Sequence, residues 1–185
     1  MEPPVVQSDR LDGWTLVSET TDRPFAAGPV SVTAGTVRYE RTATAPPRPF
    51  FFASRLRIQP PTAPNPALTH LVERQARSGV RDRLADRDIE VIDHRGDREI
   101  SVSDPDASRA TLSTFRGVCR PADGSGGSEA IPVEAMLAVW EAGEYLLGGG
   151  AYSLADGETA AGEARRELLA LLRGVRPPTD GTVDR

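Results

Sequence analysis

The sequence predicts an α+β fold, an α/β/α sandwich whose mostly antiparallel sheet of about six to eight strands is covered by two main helices. Three observations carry this. Period-2 alternation recurs in short segments, clearest at Phe50–Ile58. Two segments, near 66–86 and 157–173, carry apolar residues at helical spacing. Most successive strand segments are joined by short Pro- and Gly-rich turns, which favour antiparallel neighbours.

Residues 1–12 read as a flexible lead, 13–175 as one domain and 176–185 as a disordered tail. The first strand is expected at Trp14–Glu19, ending before the turn Arg23-Pro-Phe-Ala-Ala-Gly-Pro29. The second runs over Val30–Tyr39, with Gly35 inside it pointing to a bulge. In the third, Phe50, Phe52, Ser54, Leu56 and Ile58 share one face, and Phe51, Ala53, Arg55 and Arg57 share the other. A helix follows over Pro66–Asp86. Asn65 is suited to its N-cap, Pro66 to its first position, and Leu68, Leu71, Val72, Ala76, Val80 and Leu84 form its apolar stripe.

Ile89–Asp93 and Glu99–Ser103 read as two strands of a hairpin, with His94–Arg98 as its loop and Gly96 supplying the turn. Ala110–Cys119 is a strand, and Pro121–Ala130 a flexible surface segment. Alternation resumes at Ile131–Trp140, and Glu141–Glu144 turns into a strand at Tyr145–Ala151. The last helix covers Gly157–Arg173, with Gly174 ending it.

The chain has no lysine; all 22 basic side chains are arginine, against 27 acids. This removes P-loop, Schiff-base and kinase-type lysine chemistry. Scarce Asn and abundant Ala, Gly, Pro, Arg and Asp point to a GC-rich genome. An acidic excess without lysine suits a salt-rich cytoplasm, where carboxylates retain water. The mild net charge of −5 leaves another high-GC source open. The start, Met1-Glu-Pro-Pro-Val-Val, has neither a basic nor an apolar signal region, and no run of 18 apolar residues occurs. A cytoplasmic protein with no membrane role is expected. The acidic balance argues against nucleic acid.

Candidate sites are few. Cys119 with His70 or His94 is the one cysteine–histidine combination, and a strand cysteine also reads as a small buried hydrophobe. The pairs Asp86/Asp88 and Asp104/Asp106 lack the frame of a calcium loop. No metal, cofactor or catalytic residue is implied. Gly148-Gly149-Gly150 reads either as a phosphate cradle or as a place where backbones approach closely. Arg55 and Arg57 beside Phe51 read either as an anion clamp or as ordinary solvated arginines. The expected role is a non-catalytic binding or protein-interaction domain with a partner of unknown identity, using Arg55, Arg57 and Phe51, or the glycine-rich edge at Gly149 and Tyr152. The alternative is a small-anion binder or enzyme with an arginine-lined pocket between sheet and helix.

Three runs resemble an uncharacterised protein family of haloarchaea. They are Gly13-Trp-Thr-Leu-Val17, Pro49-Phe-Phe-Phe-Ala-Ser-Arg-Leu-Arg-Ile58, and Val139-Trp-Glu-Ala-Gly-Glu-Tyr-Leu-Leu-Gly-Gly-Gly-Ala-Tyr152. The element order over residues 13–175 is similar to the Mog1/PsbP-like sandwich. That likeness implies a binding or assembly module and assigns no functional residue.

Overall fold

The computed structural model describes residues 1–28, 30–44, 46–102, 109–120 and 130–178. Its elements are β1 (Val5–Val6), a 3-10 turn (Ser8–Arg10), β2 (Thr15–Ala27), β3 (Val30–Glu40), β4 (Phe50–Gln59), α1 (Pro66–Ala85), β5 (Ile89–Ile100), β6 (Ala110–Cys119), β7 (Ile131–Ala142), β8 (Glu144–Ser153), α2 (Glu158–Arg173) and β9 (Val175–Arg176). Seven strands form one antiparallel sheet in the order β2-β3-β4-β8-β7-β6-β5, and β1 pairs with β9 in a small second sheet. Two meanders, β2–β4 and β5–β8, meet at the β4–β8 ladder, with α1 carrying the chain from the first to the far edge of the second.

The helices cover opposite faces, as the α/β/α expectation requires. On one face α1 buries Val72, Val80 and Leu84 against Phe50, Phe52 and Phe115. On the other α2 buries Leu168, Leu171 and Leu172 against Phe51, Met136 and Leu146. The alternation of β4 is therefore used on both sides. The start of α1 follows from local chemistry: the Leu68 N–H donates to Asn65 Oδ1 at 3.1 Å, and Pro66 occupies a position where no N–H is needed. At the end of α2 the Gly174 N–H reaches the carbonyls of Ala170 and Leu171. Arg10 also donates to the Ala170 carbonyl at 2.6 Å.

Four local expectations are corrected. The first strand does not stop at Glu19; it runs through Pro24 to Ala27. Because β2 is an edge strand, the missing proline N–H leaves no ladder bond unmade, and the register shifts between Asp22 and Phe25. Gly35 is not a bulge, since β3 stays in register through it with both β2 and β4. What it permits is close approach: a Cβ there would lie 2.9 Å from the Met1 carbonyl oxygen and 3.2 Å from Pro3 Cα. The expected loose lead is thus docked on the sheet, with Val6 buried and Val5–Val6 paired to Val175–Arg176. Finally, the described residues 89–102 of the expected hairpin do not form one. β5 is one strand paired along its length with β6, and shifts at Val91/Asp93 and His94/Gly96 absorb the misfit. The segment 121–129 and the end of the expected tail, 179–185, lie outside the described residues.

The glycine run of β8 is the tightest point of the sandwich. A Cβ on Gly148 would sit 2.6 Å from Leu172 of α2. One on Gly149 would sit 2.7 Å from the Phe52 ring on the opposite face, and one on Gly150 would meet Leu168 at 2.8 Å and the Phe50 carbonyl oxygen. Gly162, on α2, has open space around the same position. Gly150→Ala is therefore expected to destabilise the fold by about 3 kcal/mol through overpacking. Gly162→Ala is expected to stabilise it by about 1 kcal/mol through helix propensity. Chemical denaturation of the two variants checks both signs.

Candidate ligand-binding cleft

α1 packs over β5, β7 and β8. The β2–β4 part of the same sheet face is left partly uncovered, and a cleft of ≈ 320 Å³ opens between it and the side of the helix. Strand alternation makes the floor: Val32 and Ala34 from β3, and Ser54, Leu56 and Ile58 from β4. Leu68, Leu71 and Ala76 of α1 form the wall. The floor hydroxyl of Ser54 is satisfied by Thr36 Oγ1 at 2.8 Å, so it adds no open polar demand. Phe25, Val30 and Leu71, at 38–40% exposure, ring the mouth and hold apolar surface in water that an occupant would cover.

Polar groups stand at one end. Asp22, Asp82 and Arg83 line the cleft, and the Arg83 guanidinium lies 5.0 Å from the Phe52 ring centroid. Burial lowers the pKa of Arg83 and the nearby charge of Arg38 adds to this, while Asp22, Asp82 and Asp86 act in the opposite sense. It remains a cation. The cleft thus combines an apolar body with a charged end, the usual composition of a small-molecule site.

The residues singled out from sequence fall in several places. β4 does put Phe51, Arg55 and Arg57 on one face, but at different depths. Phe51 is fully buried beneath α2 and stacks on Tyr39. Arg55 is buried and held in two-pronged fashion by Glu144, with Nε 2.8 Å from Oε2 and Nη2 bonded to Oε1. Arg57 is exposed beside a shallow depression that Pro61 and Gly143 also line. Gly149 lies mid-strand under Phe52, and the buried Tyr152 hydroxyl donates to Glu134. Desolvation raises the pKa of Tyr152, and its bond to Glu134 raises it further.

Cys119 is buried and donates weakly to the Arg87 carbonyl at 3.7 Å. Burial pushes its thiol pKa up, as does the charge of Asp88, so it is a neutral thiol at neutral pH. His94 bonds Asp97 instead of the cysteine, and His70 is exposed on α1. Asp104 and Asp106 lie outside the described residues. Among the described residues no group of three His, Cys, Asp or Glu side chains is placed to hold a metal ion. Nor is any described helix long and apolar enough to cross a membrane.

One cluster has no sequence signal. Asp97 of β5 accepts from Ser113 Oγ at 2.5 Å, His94 Nε2 at 3.0 Å and Arg77 of α1 at 3.0 Å. The residue types suggest a nucleophilic triad, but the geometry is different. The buried Ser113 hydroxyl donates a hydrogen bond to the carboxylate, and its oxygen accepts from Arg77 Nε at 3.2 Å, a cation and not a base. Burial works to raise the pKa of Asp97, and the hydrogen bonds from Ser113 and His94 with the charge of Arg77 outweigh it, so the net shift is downward.

Fold and site together define an antiparallel α/β/α sandwich with an apolar, ligand-sized cleft beside one helix. The chain belongs to the family described as Domain of unknown function (DUF6517), which matches residues 3–176. No curated protein and no solved structure matches it.

Asp97 gives a pH prediction. Its folded pKa is depressed, so its contribution to stability is present above the unfolded value of about 3.9 and is lost as pH falls through the folded pKa. Thermal melts of Asp97→Asn below pH ~4 should fall less steeply than those of wild type. Parallel slopes would contradict the assignment.

Proposed function

We propose that this domain is a non-catalytic binding module that takes a small, mostly apolar ligand in the cleft between α1 and β2–β4. The observation that carries the reading is an apolar sheet face only half covered by its helix, with Phe25, Val30 and Leu71 exposed around the opening. These side chains are 38–40% exposed, so covering what remains of each is worth about 1 kcal/mol, and an occupant covering all three gains about 3 kcal/mol without any chemistry being done. This keeps the binding class expected from sequence and moves its site from the α2-side face of β4 to the cleft on the α1 side. The arginine-clamp alternative built on Arg55 is less favoured, because Glu144 already satisfies that guanidinium.

The same reading places the protein in a salt-rich, haloarchaeal cytoplasm. Its support is the lysine-free composition with 27 acids against 22 arginines. Likeness to the Mog1/PsbP-like sandwich belongs to the proposal too, supported by element order alone, and it agrees with a binding role.

The test is fluorescence titration with the neutral apolar dye phenylnaphthylamine, at high salt, on wild type and Gly79→Leu. Gly79 faces the cleft, and a Cβ there meets only Arg83 Nη1 at 3.5 Å, so leucine projects into open cleft space. Wild type should bind, and the variant should bind about tenfold more weakly, a loss of ~1.4 kcal/mol. Equal affinity in a folded variant, or no binding by wild type, would contradict the reading.

A further inference from the structure

A second concavity of ≈ 320 Å³ lies on the opposite face of the sheet, toward its β5 edge, and is lined mainly by arginine. Its base is one lateral row of the sheet. Register places Arg116 of β6 opposite Glu134 of β7, and Glu134 opposite Tyr152 of β8. Glu134 is only 3% exposed, and its oxygens are occupied. The Tyr152 hydroxyl donates to Oε1, Arg116 lies 3.0 Å from Oε2, and Arg165 of α2 approaches Oε1 at 3.6 Å. A buried carboxylate is costly unless paired, so this one fixes two guanidiniums above it. Arg98 stands opposite Leu112, which lies four residues along β6 from Arg116 and on the same face.

The charge does not balance. Of the four arginines lining the concavity, Arg95 is paired with Asp93 at 3.1 Å, which leaves Arg98, Arg116 and Arg165 against Glu134, because the Asp97 carboxylate is turned toward Arg77 on the α1 side. Asp97 is engaged by Arg77, Ser113 and His94, and Glu134 is engaged as described. Arg98 has no hydrogen bond or ion pair among the described residues, and Arg116 and Arg165 each have N–H groups to spare, since a guanidinium carries five. In a lysine-free chain, exposed arginine alone means little. A buried glutamate and tyrosine holding two arginines over a concavity that a third overlooks is a more specific arrangement.

We propose that this concavity binds a small oxyanion carrying at least two negative charges, gripped by Arg98, Arg116 and Arg165. Glu134 and Tyr152 are positioning residues that hold the first shell from below. A phosphate group and a dicarboxylate share the required chemistry: several acceptor oxygens, and enough charge to offset the arginine excess. The site lies on the other face of the sheet from the apolar cleft and does not rest on it.

Calorimetric titration of the full chain with inorganic phosphate and, separately, with succinate tests this at fixed ionic strength set by chloride. At least one anion should bind, and which one does so separates the two sources. Arg98 is exposed, so Arg98→Ala should fold; it should weaken binding about tenfold or more, and Arg165→Gln should do the same. Gly79→Leu, which alters only the apolar cleft, should bind the anion as wild type does. The proposal is overturned if neither anion binds, or if Arg98→Ala or Arg165→Gln binds as tightly as wild type.

Discussion

The sandwich depends on how thin its central strand is at Gly148–Gly150. Three successive residues without side chains let Leu172 and Leu168 of α2 descend onto β8 from one side while Phe52 lies against it from the other. β8 is also the strand on which the two meanders meet. With α2 seated this closely, its face of the sheet closes around Phe51, Met136 and Leu146. The other face is built differently. α1 sits toward β5, β7 and β8, and Phe50 and Phe52 are capped by the guanidiniums of Arg87 and Arg83 at 4.2 and 5.0 Å. Arginine there covers aromatic surface that a second helix would otherwise cover, and beyond it the cleft remains.

An all-arginine cation set shapes the rest of the molecule. Arg55 with Glu144 and Arg87 with Glu40 are pairs drawn well into the structure, where planar guanidinium forks match carboxylates better than a lysine ammonium would. Others, such as Arg109 with Glu99 and Arg120 with Glu90, are open to solvent and contribute little to stability. The distinction matters for function. Arginine is informative here only where burial beneath it or a concavity beside it gives it a fixed direction, as above Glu134.

The sequence was most readable where structure follows from local rules. Asn65-Pro66 announced α1, Gly174 ended α2, and the alternation of Phe50–Ile58 assigned both faces of β4 correctly. It was least readable where a distant partner decides. His94–Arg98 carries turn residues, yet β6 is long enough to pair with the whole of β5, and bulges accommodate the misfit. Pro24 reads as a strand breaker, and only the edge position of β2 makes it harmless. Gly35 carried the right signal for a special backbone position, but the segment that crosses it, Met1–Pro3, lies more than thirty residues away in sequence. The cleft itself has no local signature. Leu56 and Ile58 look like any core-facing pair, and that α1 passes beside them instead of over them is a property of the assembled sandwich. The Asp97 cluster was hidden for the same reason, since Arg77 and Ser113 reach it from different elements.

The central claim is that one face of the sheet is closed by the glycine run and the other is left open by the placement of α1. Methyl and amide chemical-shift mapping with phenylnaphthylamine tests this most directly. The account predicts that perturbations concentrate at Val30, Ala34, Leu56, Leu71 and Ala76, with none at Ala164, Leu168 or Leu172. Perturbations centred on the α2 face, or scattered evenly over both faces, would contradict it.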